Sequence, residues 1–198
     1  MLINWLTDNY IEVFGAVAGI VYVFLEIRAN IWLWPVGIIT SSIYVWVFFN
    51  GKLYADMSLQ IYYVIISILG WFWWVKGTSR ENEKLQITNL KLKTGIFLAI
   101  TFVVLFAAMW ATLQHLTDSP VPGWDAFITS LSIIATWMLA RKILQHWLLW
   151  IIVNITAIML FIMRGLYPTA FLYAVYGTMS FIGLKEWRKK IILNKNEL

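Results

Sequence analysis

Cysteine is absent from this chain of 198 residues, and charged residues make up only 13% of it. Without cysteine, disulfide bonds, thiolate metal sites and cysteine nucleophiles are excluded. Soluble domains average about 25% charged residues. The scarcity of charge, together with a hydrophobic fraction of 61%, therefore indicates an integral membrane protein. The first residues also lack the basic region of a signal peptide, so we expect the first span to be retained.

The chain contains long apolar segments with few charged residues. A membrane-spanning helix needs about 20 mostly apolar residues. Seven segments of the chain approach or meet that need. We therefore predict an all-α integral membrane protein with seven transmembrane helices. The predicted spans are 10–27, 31–50, 53–75, 95–115, 125–140, 144–163 and 167–187.

Lysine and arginine are concentrated on one side of these spans. Only Lys52 and Arg164 lie on the side of the N-terminus. Cytoplasmic loops carry an excess of basic residues, so we predict an outside N-terminus and a cytoplasmic C-terminus. This distribution accounts for the net charge of +5 without a nucleic-acid partner. The basic residues on the predicted cytoplasmic side are Arg28, Lys76, Arg80, Lys84, Lys91, Lys93, Arg141, Lys142, Lys185, Arg188, Lys189, Lys190 and Lys195.

An internal repeat with an offset of 113 residues runs through the chain. Shared hydrophobicity alone would not align Arg, Trp, Tyr and Gly in register without a gap, so the pattern indicates a duplication. The matching pairs are Arg28/Arg141, Trp34/Trp147, Phe48/Phe161, Leu53/Leu166, Tyr54/Tyr167, Leu59/Leu172, Tyr63/Tyr176, Ser67/Ser180, Gly70/Gly183 and Trp74/Trp187.

The repeat divides the chain into two three-helix halves and a linker. We predict the repeats at residues 1–75 and 125–187. Between them, residues 76–124 hold a cytoplasmic loop, a linker helix at 95–115 and an outer loop, and residues 188–198 form a basic cytoplasmic tail. One linker helix gives both halves the same orientation. This 3+1+3 arrangement is a parallel repeat, for which a binding site is expected between the halves near the membrane midplane.

Charged side chains are missing from the middle of all seven predicted spans. Proton relays and many ion-coupled pumps place carboxylates or histidines there, and the chain has no phosphate-binding loop for ATP. We therefore predict an uncoupled carrier, while sodium bound only by carbonyl and hydroxyl oxygens remains open. The same lack argues against an intramembrane enzyme, and we expect no metal and no cofactor. The ionisable residues near the span ends are Glu12, Glu26, Asp56, His115 and Lys185.

Neutral polar side chains lie within the spans instead. Asn154 is about 15 Å into the sixth span at 1.5 Å per residue, close to the midplane of an apolar core about 30 Å thick. Gln60 enters from the other side, and Ser41 is the repeat counterpart of Asn154. Such groups suit a ligand rich in hydroxyl or amide groups. The alternative is that they only bridge helices, as Ser, Thr, Asn and Gln commonly do in membranes.

Tryptophan is unusually frequent, with 13 residues. In a helix, Trp147, Trp150 and Asn154 share one face at i, i+3 and i+7. Trp150 can stack on a flat ring, and a cationic ring gains cation–π attraction, whereas Trp147 fits both a ligand site and a position at the membrane interface. Trp also concentrates at both membrane interfaces. The tryptophans that we interpret as interfacial are Trp71, Trp73, Trp74 and Trp187.

Several motifs resemble the PnuC family of vitamin transporters. The most specific is W-x-x-W-x-x-x-N from Trp147 to Asn154, and the resemblance runs through nearly all seven spans. The layout is also similar to that of the sugar transporters called SWEETs. The other motifs are Trp34 to Ile39, Leu53 to Asp56, Leu59-Gln60, Gly70-Trp71, Trp124-Asp125, Leu131 to Ile133 and Arg141-Lys142.

The resemblance implies uptake of nicotinamide riboside by facilitated diffusion through a homotrimer in the bacterial inner membrane, with trapping by a cytoplasmic kinase. Thiamine is the alternative substrate and riboflavin a further one, because family members share these motifs. Carried over by position, Trp147, Trp150 and Asn154 line the vitamin site and Gln60 joins them. The remaining predicted site residues are Trp34, Ser41 and Tyr176.

Overall fold

Seven α-helices make up most of the chain in a computed structural model that describes residues 10–50, 54–77, 85–117 and 119–196. The prediction of an all-α fold with seven helices is confirmed. The predicted N-terminal segment, the turn at 51–53 and the charged run at 78–84 lie outside the described residues. The helices are α1 (Tyr10–Ile27), α2 (Leu33–Asn50), α3 (Tyr54–Lys76), α4 (Leu92–Leu116), α5 (Pro122–Ala140), α6 (His146–Met163) and α7 (Tyr167–Asn196).

Five of the described helices, α2 to α6, are long and apolar enough to cross a membrane. The apolar part of α1, Val13–Ile27, is shorter. Helix α7 is less apolar, because it carries Tyr, Thr, Ser and Gly along much of its length. It also continues beyond the predicted span, to Asn196. The Lys and Arg residues of this tail are good helix formers, so the described part of the segment predicted as a basic tail is helical.

The chain divides into two compact units, Met1–Lys84 and Leu85–Leu198. In the first unit, α2 packs against both α1 and α3. In the second unit, α5 packs against α4 and α6, and α6 packs against α7. The linker helix α4 therefore belongs to the second unit. Its buried Leu98 joins a core with Ile134, Met138 and Ile143.

The segment before α4 is attached to the turn between α5 and α6. The amide of Thr88 donates to the carbonyl of Lys142 (3.0 Å), and the amide of Leu144 donates to the carbonyl of Thr88 (2.8 Å). The side-chain oxygen of Gln145 accepts from the amide of Leu90 (2.7 Å). Part of the predicted polar loop is thus an extended strand that holds the start of α4 against the second repeat.

The turns that lead into α2 and α6 have the same backbone conformation. Ala29 and Lys142, which are separated by the repeat offset, have φ angles of 52° and 51°. Left-handed φ values are rare for residues other than glycine. Two backbone hydrogen bonds also recur: Asn30 N to Leu25 O (2.9 Å) and Ala29 N to Glu26 O (2.9 Å) correspond to Ile143 N to Met138 O (2.9 Å) and Lys142 N to Leu139 O (2.8 Å).

A tryptophan packed onto a glycine recurs in both repeats. A Cβ atom added to Gly70 on α3 would lie 2.5 Å from Cη2 of Trp34 on α2. A Cβ atom added to Gly183 on α7 would lie 2.5 Å from Cη2 of Trp147 on α6. Both indoles are 0% exposed. Only glycine lets the two helix backbones approach closely enough for the ring to lie between them.

Trp74 and Trp187 complete these contacts. Trp34 meets Trp74 edge to face with ring centroids 5.3 Å apart, and Trp147 meets Trp187 in the same way at 5.9 Å. Both partners are buried, so the interpretation of Trp74 and Trp187 as interfacial residues is wrong. They lie at helix ends, as belt residues do, but their rings turn inward onto the neighbouring tryptophan. Trp71, in contrast, is exposed.

Replacing Ala29 or Lys142 with glycine should stabilise the protein. The left-handed conformation costs a residue with a Cβ atom about 1–2 kcal/mol, and part of that cost is regained because glycine adopts it freely. We expect each variant to raise the melting temperature in detergent by a few degrees, about 1 kcal/mol or less. Ala140→Gly, within α5, is the control and should lower it.

Replacing Gly70 or Gly183 with alanine should destabilise the protein by about 1–3 kcal/mol, because the new methyl group overlaps a buried indole. Gly123→Ala is the matched control, since a Cβ atom there would meet only Trp110 at 4.0 Å. Alanine is the better helix former, so the control should melt at the wild-type temperature or above it. Equal melting temperatures for all three variants would show that the Trp–Gly contacts do not hold the helices together.

Candidate functional site

Helix α6 presents the predicted motif residues on one side. Trp147, Trp150 and Asn154 are i, i+3 and i+7 in a continuous helix, which places them within about one quarter of its circumference. Asn154 is only 4% exposed, and Trp150 is half-buried. The amide therefore lies inside the protein, about two turns from the helix start.

The amide of Asn154 is held by α7. Its Nδ2 donates to Oγ of Ser180 (3.2 Å), and that hydroxyl donates to the carbonyl of Tyr176 (2.8 Å). Gly177 lies alongside, where an added Cβ atom would be 3.6 Å from Cβ of Asn154. A side-chain amide has two N–H donors and an acceptor oxygen. One N–H of the Asn154 side chain is used to hold the amide in place. Its second N–H and its oxygen suit hydrogen bonds to a ligand.

Ser180 joins the candidate site through its hydrogen bond to Asn154, whereas sequence reasoning identifies it only as a repeat match. Its hydroxyl orients Asn154 and connects it to the backbone of Tyr176, one of the predicted site residues. The spacing from Tyr176 to Ser180 is i, i+4, which places both on the same face of α7. That spacing is the signal by which the sequence could have indicated Ser180.

Trp147 is enclosed by its own repeat. Its ring contacts His146 (centroids 4.6 Å apart) and Trp187, and it lies against Gly183. His146 is itself buried, with Nδ1 2.7 Å from the carbonyl of Ile143. Since a carbonyl can only accept, Nδ1 carries the hydrogen. The structure thus places Trp147 in the packing between α6 and α7.

Four buried polar atoms have no hydrogen-bond partner among the described residues: the indole nitrogens of Trp34, Trp147 and Trp150, and the hydroxyl of Ser130. A buried unsatisfied donor costs about 1–3 kcal/mol. Trp34 and Trp147 are repeat counterparts, so their unpaired N–H groups belong to the shared packing. Trp150 has Gly37 as its counterpart, and its N–H is a donor that a ligand could satisfy.

The other predicted site residues lie in the first unit. Ser41 and Trp34 are buried on α2, and Gln60 is half-buried on α3. Ser41 and Ser67 are buried at the positions that correspond to Asn154 and Ser180. The first unit therefore repeats the scaffold of the Asn154 site with smaller polar side chains.

Glu26 is less peripheral than its sequence position suggests. It precedes the last residue of α1, yet it is only 2% exposed. A carboxylate is therefore buried in the first unit, although the sequence predicts none deep in the spans. Among the described residues, no group of three or more His, Cys, Asp or Glu side chains could hold a metal ion.

Comparisons with known proteins agree on a transporter. Residues 9–189 match the family model described as Nicotinamide mononucleotide transporter. The chain is 26% identical over 203 residues to "Nicotinamide riboside transporter PnuC" of Escherichia coli (strain K12), which covers 90% of this chain and 85% of the relative. It is 24% identical over 198 residues to "Riboflavin/roseoflavin transporter RibM" of Streptomyces davaonensis, with coverages of 93% and 92%.

A solved structure is similar over nearly the whole chain. The crystal structure described as that of the Vitamin B3 transporter PnuC is matched with a TM-score of 0.74 and 26% identity. The match covers 96% of this chain and 85% of the other. The similarity therefore extends through the helices of both units rather than one of them.

Proposed function

This chain belongs to the Nicotinamide mononucleotide transporter family, and we propose that it carries nicotinamide riboside across the bacterial inner membrane. It is a multi-pass membrane transporter of the vitamin-transporting kind, as its relatives are. The observation that carries the choice of ligand is that the buried Asn154 amide shares a face of α6 with Trp150, whose buried indole N–H has no hydrogen-bond partner among the described residues.

Nicotinamide riboside has the chemistry that this pair would recognise. It is a flat cation that bears a carboxamide and ribose hydroxyls. The free hydrogen-bonding capacity of Asn154 suits the amide or a hydroxyl, and Trp150 offers both a ring face for a cation and a donor. We propose that Gln60, Ser41 and Tyr176 complete the site. Trp34 and Trp147 stay predicted site residues whose rings are covered by protein.

The riboside is favoured over the mononucleotide by the lack of buried positive charge. Among the described residues, every Lys and Arg side chain is exposed or half-buried. A phosphate taken into the bundle would lose its hydration without a cationic partner, which is costly. A ligand without the phosphate avoids that cost.

Riboflavin is the second candidate, because the Streptomyces relative is named for it. Its ring system is flat and its ribityl chain carries hydroxyls, so indole stacking and neutral amides suit it as well. It lacks the positive charge that a tryptophan face attracts. Thiamine, a flat cation, is the third compound that a binding experiment must include.

Transport is proposed to be uncoupled. We propose two three-helix repeats and a linker helix, related as a parallel repeat and rocking about the ligand. The N-terminus is outside, the C-terminus is cytoplasmic, and the active form is a homotrimer. A cytoplasmic kinase would then phosphorylate the riboside, and the charged product could not return. The absence of deep carboxylates on α2 and α4 to α6 supports a carrier without a proton relay.

Trp150→Ala and Asn154→Ala should each weaken nicotinamide riboside binding by about 10-fold or more, since one hydrogen bond or cation–π contact is worth about 1–2 kcal/mol. Calorimetry on detergent-solubilised protein measures this, with thiamine and riboflavin as competing candidates. Trp46→Ala is the control, because Trp46 is 67% exposed. Unchanged affinity in both site variants would remove this pair from the site.

Purified protein in liposomes should equilibrate nicotinamide riboside without an ion gradient, at a rate that a proton or sodium gradient does not raise. Glu26→Gln tests the carboxyl group that is buried among the described residues, and we expect its transport per folded molecule to stay within about two-fold of wild type, since an uncoupled carrier needs no proton acceptor. Accumulation above equilibrium in a gradient, lost in Glu26→Gln, would instead identify a coupled transporter.

A further inference from the structure

The two repeats can be compared position by position. The offset of 113 residues aligns both ends of α2 and α6, the left-handed residues Ala29 and Lys142, and the two Trp–Gly contacts. At this offset, Trp150 corresponds to Gly37. The first repeat therefore lacks a side chain where the second repeat carries its half-buried indole.

In the first repeat, a residue of α1 fills this space. A Cβ atom added to Gly37 would lie 3.1 Å from Cε2 of Tyr22 and 3.0 Å from Oγ of Ser67. The edge of the Tyr22 ring thus lies directly beside α2, next to the serine of α3. A large side chain at position 37 could not share that space with Tyr22.

The second repeat has the opposite arrangement. The counterpart of Tyr22 is Ala135 on α5, which is 0% exposed. One repeat has a large ring on its first helix and none on its second, whereas the other has a methyl group on its first helix and an indole on its second. Each repeat thus has one ring and one small residue at these two positions, and the ring belongs to the first helix in one repeat and to the second helix in the other.

We propose that Ala135 is a positioning residue for the ligand site: its small side chain leaves free, in the second repeat, the space that Tyr22 fills in the first, and the indole of Trp150 occupies that space. The inference rests on the proposed function only for its binding readout. Its packing readout does not depend on any ligand.

The polar side chains around Tyr22 also differ from their counterparts in the second repeat. The phenol of Tyr22 lies within electrostatic range of Glu26, Tyr62 and Tyr63. The counterparts of Glu26 and Tyr62 are Leu139 and Val175, which are apolar. A phenol at position 135 would therefore meet apolar side chains at two of the three corresponding positions, the third being Tyr176. In the second repeat, the buried N–H of Trp150 has no partner in the part of the chain that the structure describes, and it is left for a ligand.

A double-mutant cycle tests the shared space. The variants are Ala135→Phe, Trp150→Gly and the two combined, with melting temperature as the measurement. Phenylalanine is chosen because Leu139 could not partner a phenol. Each single variant should melt below wild type, and the double variant should lose less than half of the summed decrease, because the new ring fills the space that the indole vacates.

Ala126→Phe provides the matched control. Ala126 is also 0% exposed on α5, but it lies nine residues earlier and therefore on the opposite face. Combined with Trp150→Gly, it should give no rescue. If the Ala135 double variant loses as much as the sum of its parts, the two rings do not share a space and the inference fails.

A measurement of ligand binding distinguishes a positioning role of Ala135 at the ligand site from a role in packing alone. Ala135→Phe should weaken nicotinamide riboside binding at least 10-fold, and the double variant should stay as weak despite its regained stability, because it has no indole. Should Ala135→Phe not fold, Ala135→Val replaces it as the single variant. Affinity within two-fold of wild type in a folded Ala135 variant would overturn the positioning role. If the wild-type protein does not bind nicotinamide riboside, the proposed function is contradicted. The double-mutant cycle of melting temperatures then tests the shared space of Ala135 and Trp150 by itself.

Discussion

A buried tryptophan lying on a glycine joins the second and third helices of each repeat, and the rest of the fold depends on this contact. Within a membrane, lipid is as apolar as the side chains, so the hydrophobic effect does not hold helices together. Close packing must do so instead. Gly70 and Gly183 allow the helix backbones to approach, and the indoles of Trp34 and Trp147 fill the contact with a large surface.

Around this shared contact, the two repeats differ at the residues proposed to bind the ligand. Around the same Trp–Gly contact, Ser41 is replaced by Asn154 and Gly37 by Trp150. Both exchanges add hydrogen-bonding capacity to the second repeat, and Ser180 orients the new amide. An asymmetric ligand does not need two equal half-sites. In the function proposed here, the repeated scaffold is common to both units, and the chemistry for the ligand comes from a few residues of α5 and α6 that differ from their counterparts.

Position along a helix gives the depth of a residue in the membrane but not its neighbours, which explains both what sequence reasoning got wrong and what it did not foresee. Trp74 and Trp187 lie at helix ends, where belt residues are common, yet both are buried against another tryptophan. Glu26 lies at the end of α1 and is nevertheless buried. Thr88 belongs to a polar stretch, but it pairs with the turn at Lys142. In each case a residue distant in sequence decides the environment.

The sequence by itself determined the membrane class, the number of helices, most of their boundaries and the repeat, because composition, apolar length and periodicity are properties of the chain alone. It also placed Trp147, Trp150 and Asn154 on one face, since helical spacing is local. Tertiary structure decided which of these side chains is covered by packing between helices and which keeps hydrogen-bonding groups for a ligand. The ring of Trp147 is fully covered, by Gly183 and Trp187 among others, whereas Trp150 is half-buried and its N–H has no partner among the residues that the structure describes. That difference arises because side chains on other helices either fill the space around an indole or leave it open.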